Sequence, residues 1–281
     1  MLRAKPPARQ PEPPGVGRRR ATRTRGAGQP EAARIPLSRR TPFPAGGELP
    51  RRYAEAMDPF VALTAVAAAT QTLRLGTGVC LISQRDPIQT AKLVASIDQV
   101  SAGRFLFGVG NGWNQDEMEN HGTVFATRHK RARETVEAMK RIWTEETAAF
   151  HGDLVNFGPL QAWPKPVQKP HPPVLVGGAF PYSARRAIRY GDGWLPQAAR
   201  RGSYRQIAEL IPAFRNMARE AGRDPASIAI TAWHSRRDAD VIRRYQDLGV
   251  ERVVFSLESE PLDTLLPTID ALTALMRTVN G

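Results

Sequence analysis

A single cysteine, Cys80, occurs in the 281 residues of this chain. That excludes an internal disulfide framework and any cysteine-built metal centre, and it fits a reducing cytoplasm. No stretch reaches the ~18 consecutive apolar residues of a membrane span, so a soluble protein without a membrane partner is expected. Acids are also in short supply: 27 Asp and Glu face 40 Lys and Arg, a formal charge of +13. The imbalance is local, since residues 1–52 hold 13 basic residues against 3 acids and residues 53–281 hold 27 against 24. A solvated basic segment without interleaved aromatics binds phosphates weakly and without sequence choice, so no specific nucleic-acid partner is expected.

Residues 1–52 also carry 10 of the 24 prolines and show no apolar period of 2 or 3.6. Such a segment buries too little surface to offset chain entropy. Residues 1–33 are therefore expected to be a disordered basic tail, with no strand of their own. Arg18-Arg19-Arg20 is not followed by the apolar segment that a targeting signal requires.

From residue 53 the character changes. Asp58 and Pro59 have the chemistry of an N-cap and first helical position ahead of an Ala-rich run. Residues 73–82 read as an apolar strand, 87–100 as a helix, 103–110 as a second buried strand and 127–143 as a second helix. Further strands are expected at 174–176, 194–195, 228–231 and 252–255, separated by helices near 183–190, 204–221 and 238–248, with a last helix over about 262–279. Short continuous apolar strands alternating with amphipathic helices imply a parallel sheet covered on both faces. Six strands fit a doubly wound sheet as well as a barrel, so their number does not decide between the two. Residues 148–173 interrupt the alternation and are expected to be an insertion over one end of the sheet, with the character of a lid. The body, 34–281, is expected to be one domain.

Three strand ends are rich in glycine: Gly76-Thr77-Gly78, Gly108-Val109-Gly110-Asn111-Gly112 and Gly177-Gly178-Ala179. Glycine at the C-terminal end of a parallel strand lets a flat ligand or a second backbone approach closely. The spacing is not that of a dinucleotide fingerprint, and no P-loop lysine follows. After Gly178 comes a helix with Ser183 at its start and Arg185, Arg186 and Arg189 along it. Helix N–H groups, a hydroxyl and arginines suit the phosphate of a flavin-type cofactor; an ordinary capped helix with a solvated basic face reads equally well. His121, His129, His151, His171 and His234 lack metal-ligand spacing, so no metal is expected. Trp143 and Trp233 read as core, whereas Trp113 and Trp194, near strand ends, are placed to flank a ring.

The strings GTGV (76–79), DPIQTAKLVASIDQVSAGRFLFGVGNGW (86–113), PKPVQKPHPPVLVGG (164–178) and RRAIRYGDGW (185–194) resemble the luciferase-like monooxygenase superfamily, in its F420-dependent actinobacterial branch. The resemblance runs from about residue 34 nearly to the end. It implies a TIM-like (β/α)8 barrel with an insertion, and a flavin or deazaflavin at the C-terminal strand ends. The implied activity is hydride transfer or oxygenation of a small organic substrate with coenzyme F420, or alternatively reduced FMN. Thr77, Gly78 and Val79 match the strand end lining the ring, where several members carry a non-proline cis peptide. Asn111 and Gly112 match the next strand end. Gly177, Gly178, Ala179 and Ser183 match the region meeting the cofactor tail. No catalytic residue is assigned. A homodimer is a further expectation.

The family's first two barrel strands have no counterpart in residues 1–33, and Glu31-Ala32 stands where an acid–histidine pair belongs. A misread gene start or frame shift would produce this pattern. The expected consequences are strand edges left open at 73–81 and at 252–255, and an exposed apolar interior prone to association. Two functional classes follow, an oxidoreductase and a degenerate flavin-binding homologue.

Overall fold

Helix starts are where local chemistry is most explicit. In the computed structural model, Asp58 accepts hydrogen bonds from the N–H groups of Phe60 and Val61 at 2.9 and 3.3 Å, and Asp86 accepts from Gln89 N–H at 2.7 Å. Each is followed by proline at the first helical position, which has no N–H to satisfy. The structure describes residues 26–29, 35–38, 40–44, 46–196, 205–233, 235–258 and 260–280.

The chain runs β1 (Gly26–Gln29), α1 (Arg52–Glu55), α2 (Pro59–Ala69), β2 (Arg74–Thr77), β3 (Cys80–Leu81), α3 (Pro87–Val100), β4 (Phe105–Gly110), α4 (Gln115–Asn120) and α5 (Arg128–Thr144). A hairpin of β5 (Ala148–His151) and β6 (Asn156–Leu160) follows, then β7 (Val174–Gly178), α6 (Tyr182–Tyr190), β8 (Gly193–Pro196) and α7 (Arg205–Glu220). The chain closes with β9 (Ala229–Ala232), α8 (Ala239–Asp247), β10 (Arg252–Val253) and α9 (Leu262–Asn280). The strands pair in the order β1-β2-β4-β7-β8-β9-β10, with β3 also on β4, and every pairing in this sheet is parallel. The sheet curls as part of a TIM-like barrel, and among the described residues its outer strands β1 and β10 do not pair with each other.

Strand alternation divides the sheet into two faces. Phe105, Phe107, Val109, Val174, Val176, Trp194 and Ile230 point to the helices and join one large core with α2, α3, α5, α6 and α7. The intervening positions carry Leu106, Leu175 and Leu195, which form a second, smaller cluster on the concave face with Val79 and Trp233. The three leucines are 8%, 3% and 4% exposed. The expectation of an exposed apolar interior is thus corrected: where β4, β7 and β8 curve, their own side chains and Trp233 fill the concavity.

Two more expectations change. Gly26–Gln29 lies parallel to β2, with Gly26 opposite Arg74 and Gln29 opposite Thr77. The segment expected to be strand-free therefore supplies a strand, and β2 is not an edge. The bare N–H and C=O groups of β2 require partners whatever side chains the incoming segment carries, so the lack of β-branched residues does not prevent pairing. The rest of the expected tail, 1–25 and 30–33, lies outside the described residues. At the other end of the sheet, among the described residues, β10 pairs with β9 alone.

The insertion over 148–173 is not a lid on the glycine-rich strand ends. Its hairpin packs along the outside of α5, where the buried Glu134 carboxylate accepts hydrogen bonds from the N–H groups of Leu154 and Val155 at 2.7 and 3.1 Å. The returning chain crosses the opposite end of the sheet. There Gln168 donates to Asp98 through its backbone N–H at 2.9 Å and its side chain at 2.7 Å, and to Phe105 O at 2.7 Å.

Candidate cofactor site

Close contact of main chain and side chain explains the glycines at the strand ends. A Cβ on Gly110 would stand 2.4 Å from Val79 Cγ2, and one on Gly177 would stand 2.8 Å from Val79 Cγ1. One valine therefore touches the ends of β4 and β7 from the end of β2, and the three strand ends converge on one side of the sheet. A Cβ on Gly108 would lie 2.0 Å from Thr77 O, and one on Gly78 would lie 2.0 Å from Trp233 Cη2. The Gly78–Val79 peptide is cis. Gly112 and Gly178 have φ of +71° and +127°, backbone that L side chains rarely adopt.

The polar side chains at these ends divide into committed and orphaned groups. Thr77 Oγ1 donates to Gly108 O at 2.6 Å and braces β2 against β4. Asn111 accepts at its backbone carbonyl from Ser83 Oγ at 3.0 Å, yet its Nδ2 is buried without a partner among the described residues. Gln84 is 9% exposed, and neither its Nε2 nor its Oε1 has a partner among the described residues. Its Nε2 would lie 3.4 Å from a Cβ on Gly112. A buried amide left unsatisfied costs about 1–3 kcal/mol, so these amides favour a polar partner at this corner.

Ser183 is placed differently from the expectation. Its Oγ is fully buried, donates to Gly178 O at 2.8 Å and accepts from Trp194 Nε1 at 3.0 Å. It holds the Gly177–Gly178 turn from behind and has no hydroxyl to offer a phosphate. Ala179, at the exposed end of the turn, accepts from Ser183 N–H at 2.9 Å. The cationic groups come instead from two helices. Arg186 Nη2 would lie 3.3 Å from a Cβ on Gly178, and the Nε atoms of Arg186 and Arg128 are both buried without a hydrogen-bond partner among the described residues. Burial, followed by the field of Arg186, lowers the pKa of Arg128; burial likewise lowers that of Arg186. His129 is pushed down to about 4 by desolvation and then by the same two guanidiniums. The field of Arg186 opposes the charge of Arg128, whose Nη1 donates to Phe125 O at 2.8 Å.

Among the tryptophans, Trp194 does not flank the site: it lies fully buried on the helix side, stacked on Phe214 at 4.5 Å and 19°. Trp233, expected in the core, is half-buried on the concave face. Trp143 is core, with Nε1 donating to Ala91 O at 3.0 Å. Trp113 stands half-buried beside Gly112, edge-on to Phe43 at 5.7 Å. Phe43 belongs to a segment that rests on α4, where Thr41 Oγ1 accepts from Gln115 N–H at 3.2 Å and Arg40 pairs with Asp116 and Glu119. His234 lies outside the described residues, and no cluster of metal-ligating groups occurs among those described. No described helix is long and apolar enough to cross a membrane.

The profile of the family described as luciferase-like monooxygenase matches residues 43–249. The chain belongs to this family. This luciferase-like protein is 39% identical over 255 residues to an uncharacterized protein of Mycobacterium tuberculosis, covering 87% of this chain and 86% of that one. It is 33% identical over 177 residues to the F420-dependent hydroxymycolic acid dehydrogenase of the same organism, covering 61% of this chain and 47% of the dehydrogenase. Among solved structures it resembles the monooxygenase RslO1 from Streptomyces bottropensis, with a TM-score of 0.58 and 26% identity over 80% of this chain and 64% of that one. The luciferase-like chain therefore spans most of the first relative, but less than two thirds of the dehydrogenase and of RslO1.

Of the residues that sequence reasoning missed, Trp233 carried a usable signal. It stands two places after Thr231, and Ile230 and Ala232 face the helices, so strand parity assigns Trp233 to the concave side. The same parity puts Trp194, between Gly193 and Leu195, on the helix side. Gln84 and Arg128 gave no such signal, because a lone amide and one more arginine on a basic helix have no diagnostic spacing.

Proposed function

We propose that this chain is a deazaflavin- or flavin-dependent oxidoreductase that transfers hydride to, or oxygenates, a small organic substrate. Coenzyme F420 is the preferred cofactor and FMN the second choice. The observation that carries this reading is the meeting of three strand ends on Val79, with the orphaned Asn111 amide beside them and the Arg128–Arg186 pair behind Gly178. Family membership and the F420-dependent relative support it.

A planar ring fits a wall of backbone and small side chains, which is what Gly78, Val79, Asn111, Gly112 and Gly177 present. A phosphate fits the arginine pair at Gly178. When bound, the cofactor supplies the redox chemistry; the protein supplies orientation and electrostatics. Val79 and Trp233 exclude water from the concave face, and Asn111 and Gln84 offer hydrogen bonds at its rim. Thr77 and Ser183 act through the backbone, by fixing β2 against β4 and the Gly177–Gly178 turn. A cytoplasmic homodimer is part of the same proposal, and size-exclusion chromatography reads the dimer directly.

The test is titration of the full chain with F420 and separately with FMN, following tryptophan emission and cofactor fluorescence. Saturable binding of one of them is expected, weakened at least roughly tenfold by Asn111→Leu, which removes the amide and leaves a group that cannot pair. If neither cofactor binds to folded protein, the reading is wrong.

A further inference from the structure

An aromatic cluster that the cofactor reading does not use stands on the strand-end side of the sheet. In Thr41-Pro42-Phe43-Pro44 the prolines lock their own φ and disfavour helical backbone at Thr41 and Phe43, and Gly46 N–H donates to Phe43 O at 2.8 Å to close the turn behind it. The stretch is tied to α4: Arg40 N–H donates to Asp116 Oδ2 at 3.2 Å, its guanidinium pairs with Asp116 and Glu119, and Thr41 Oγ1 accepts from Gln115 N–H. The Phe43 ring is thereby held edge-on to Trp113 at 5.7 Å and to Tyr53 of α1 at 5.5 Å. All three rings are half-buried. Trp113 follows Gly112 directly, so the cluster lies beside the end of β4, on the side of the sheet where Val79 meets Gly110 and Gly177.

The groups around the rings restrict what they can receive. Where the stretch meets α4, Arg40, Asp116 and Glu119 are paired with one another, and Glu117, the buried acid of α4, is itself engaged. Beside Gly112 the buried side chain without a hydrogen-bond partner among the described residues is a neutral amide, Gln84, which suits a hydroxyl or a carbonyl. The concave face beyond is apolar, with Leu106, Leu175, Leu195 and Trp233. A carboxylate or ammonium brought between the rings would lose hydration beside acids and an arginine that are already matched.

We propose that Phe43, Tyr53 and Trp113 wall the substrate side of the cleft, and that the substrate is a neutral, apolar, ring-bearing alcohol or carbonyl compound. The inference rests on the strand ends being the cofactor cleft. Aromatic side chains offer rigid apolar area at little cost in rotamer freedom and pack a flat or alicyclic ring edge-on or stacked. Phe43 is the specificity residue of the three, because its turn and its tie to α4 set where the wall stands.

The experiment first measures F420 and FMN affinity for the full chain, then saturates the protein with whichever binds, kept reduced under nitrogen so that no alcohol is turned over. Benzyl alcohol, cyclohexanol, mandelate, benzylamine and glycerol are then titrated in by calorimetry. The two neutral rings should bind at least roughly tenfold more tightly than mandelate and benzylamine, which carry the ring of benzyl alcohol with a charge added, and glycerol should not bind. Phe43→Ala and Tyr53→Ala, checked for folding by circular dichroism, should each weaken benzyl alcohol about fivefold or more and leave cofactor affinity within about twofold. Phe43→Leu, which keeps apolar bulk in the same place, should lose part of this affinity and serves where alanine does not fold. Equal or tighter binding of a charged probe, failure of the loaded parent to bind either neutral ring, or unchanged benzyl alcohol affinity in the Phe43 variants would overturn the inference and leave the cofactor reading standing. Absence of cofactor binding in the parent would overturn the cleft reading and this inference with it.

Discussion

Trp233 lies across Gly78 so closely that a Cβ on the glycine would stand 2.0 Å from Cη2 and 2.6 Å from Cζ3 of the indole. The end of β2 and the residue following β9, far apart in the strand order, are thereby joined across the concave face. Gly78→Ala is expected to push the ring aside, with an overpacking cost of about 1–3 kcal/mol, and to lower cofactor affinity. Adding Trp233→Ala to it should restore much of the lost stability. Urea melts of the single and double variants check this, and strictly additive losses would show that the two residues are uncoupled.

Arg104 joins α2, the loop before β2, and the start of β4. Its guanidinium donates to Leu73 O at 2.6 Å, Thr70 Oγ1 at 3.0 Å, and Ala67 O and Thr70 O at 2.9 Å each, while Nε reaches Ser101 O at 2.7 Å. Those carbonyls include the unsatisfied end of α2. Arg104→Met should cost about 3 kcal/mol, since charged donors are worth more than neutral ones and several acceptors would be stranded together. Arg104→Lys should recover only part of this, because an ammonium cannot reproduce the planar fork. Equilibrium denaturation measures both.

Asp58 has its carboxyl pKa set by opposing effects. Burial raises it, but the hydrogen bond and charge of Arg85, with the N–H groups of Val61 and Phe60, lower it further, so the net shift is below the ordinary 3.8. A depressed carboxyl contributes stability that is present above its unfolded pKa and lost as pH falls through the folded one. The contribution should therefore be complete at neutral pH and disappear below 3.8. Asp58→Asn keeps a capping oxygen and loses the pair with Arg85, so it should be less stable than the parent at pH 7 and should lose less on acidification. Parallel pH dependence of the two proteins over that range would refute the assignment.

Among the described residues no acid pairs with the half-buried Arg186, whose pKa burial lowers. Arg186→Met should raise the stability of the cofactor-free protein, by about 1 kcal/mol, while weakening binding of any phosphate-bearing cofactor. Thermal melts with and without FMN separate the two effects. A variant less stable than the parent without ligand would mean that the arginine contributes packing that outweighs its desolvation.

Helix and strand positions from 58 onward were legible in the sequence because each depends on short-range chemistry. Asp58-Pro59 and Asp86-Pro87 mark helix starts by capping geometry, and runs such as 105–109 mark strands buried on both sides. The glycine-rich ends at 76–78, 108–112 and 177–178 were legible for the same reason: a position that cannot hold a Cβ must be glycine, and Val79 is the contact that enforces it at Gly110 and Gly177. The order of these motifs was enough to find the family.

Tertiary structure alone decided what depends on distant partners. The Ser183 hydroxyl could face a ligand or the core, and Trp194 Nε1 and Gly178 O drew it inward. The insertion could cover either end of the sheet, and the Glu134 carboxylate bound its hairpin to the outside of α5. Gly26–Gln29 has no strand signature, yet the open backbone of β2 makes it one. Arg128 and Arg186 are 58 positions apart in the numbering, so only the packing of α5 on α6 could reveal two cations sharing one desolvated corner. Local propensity acts within a few residues, whereas charge, burial and hydrogen-bond satisfaction are settled by whatever the fold brings alongside.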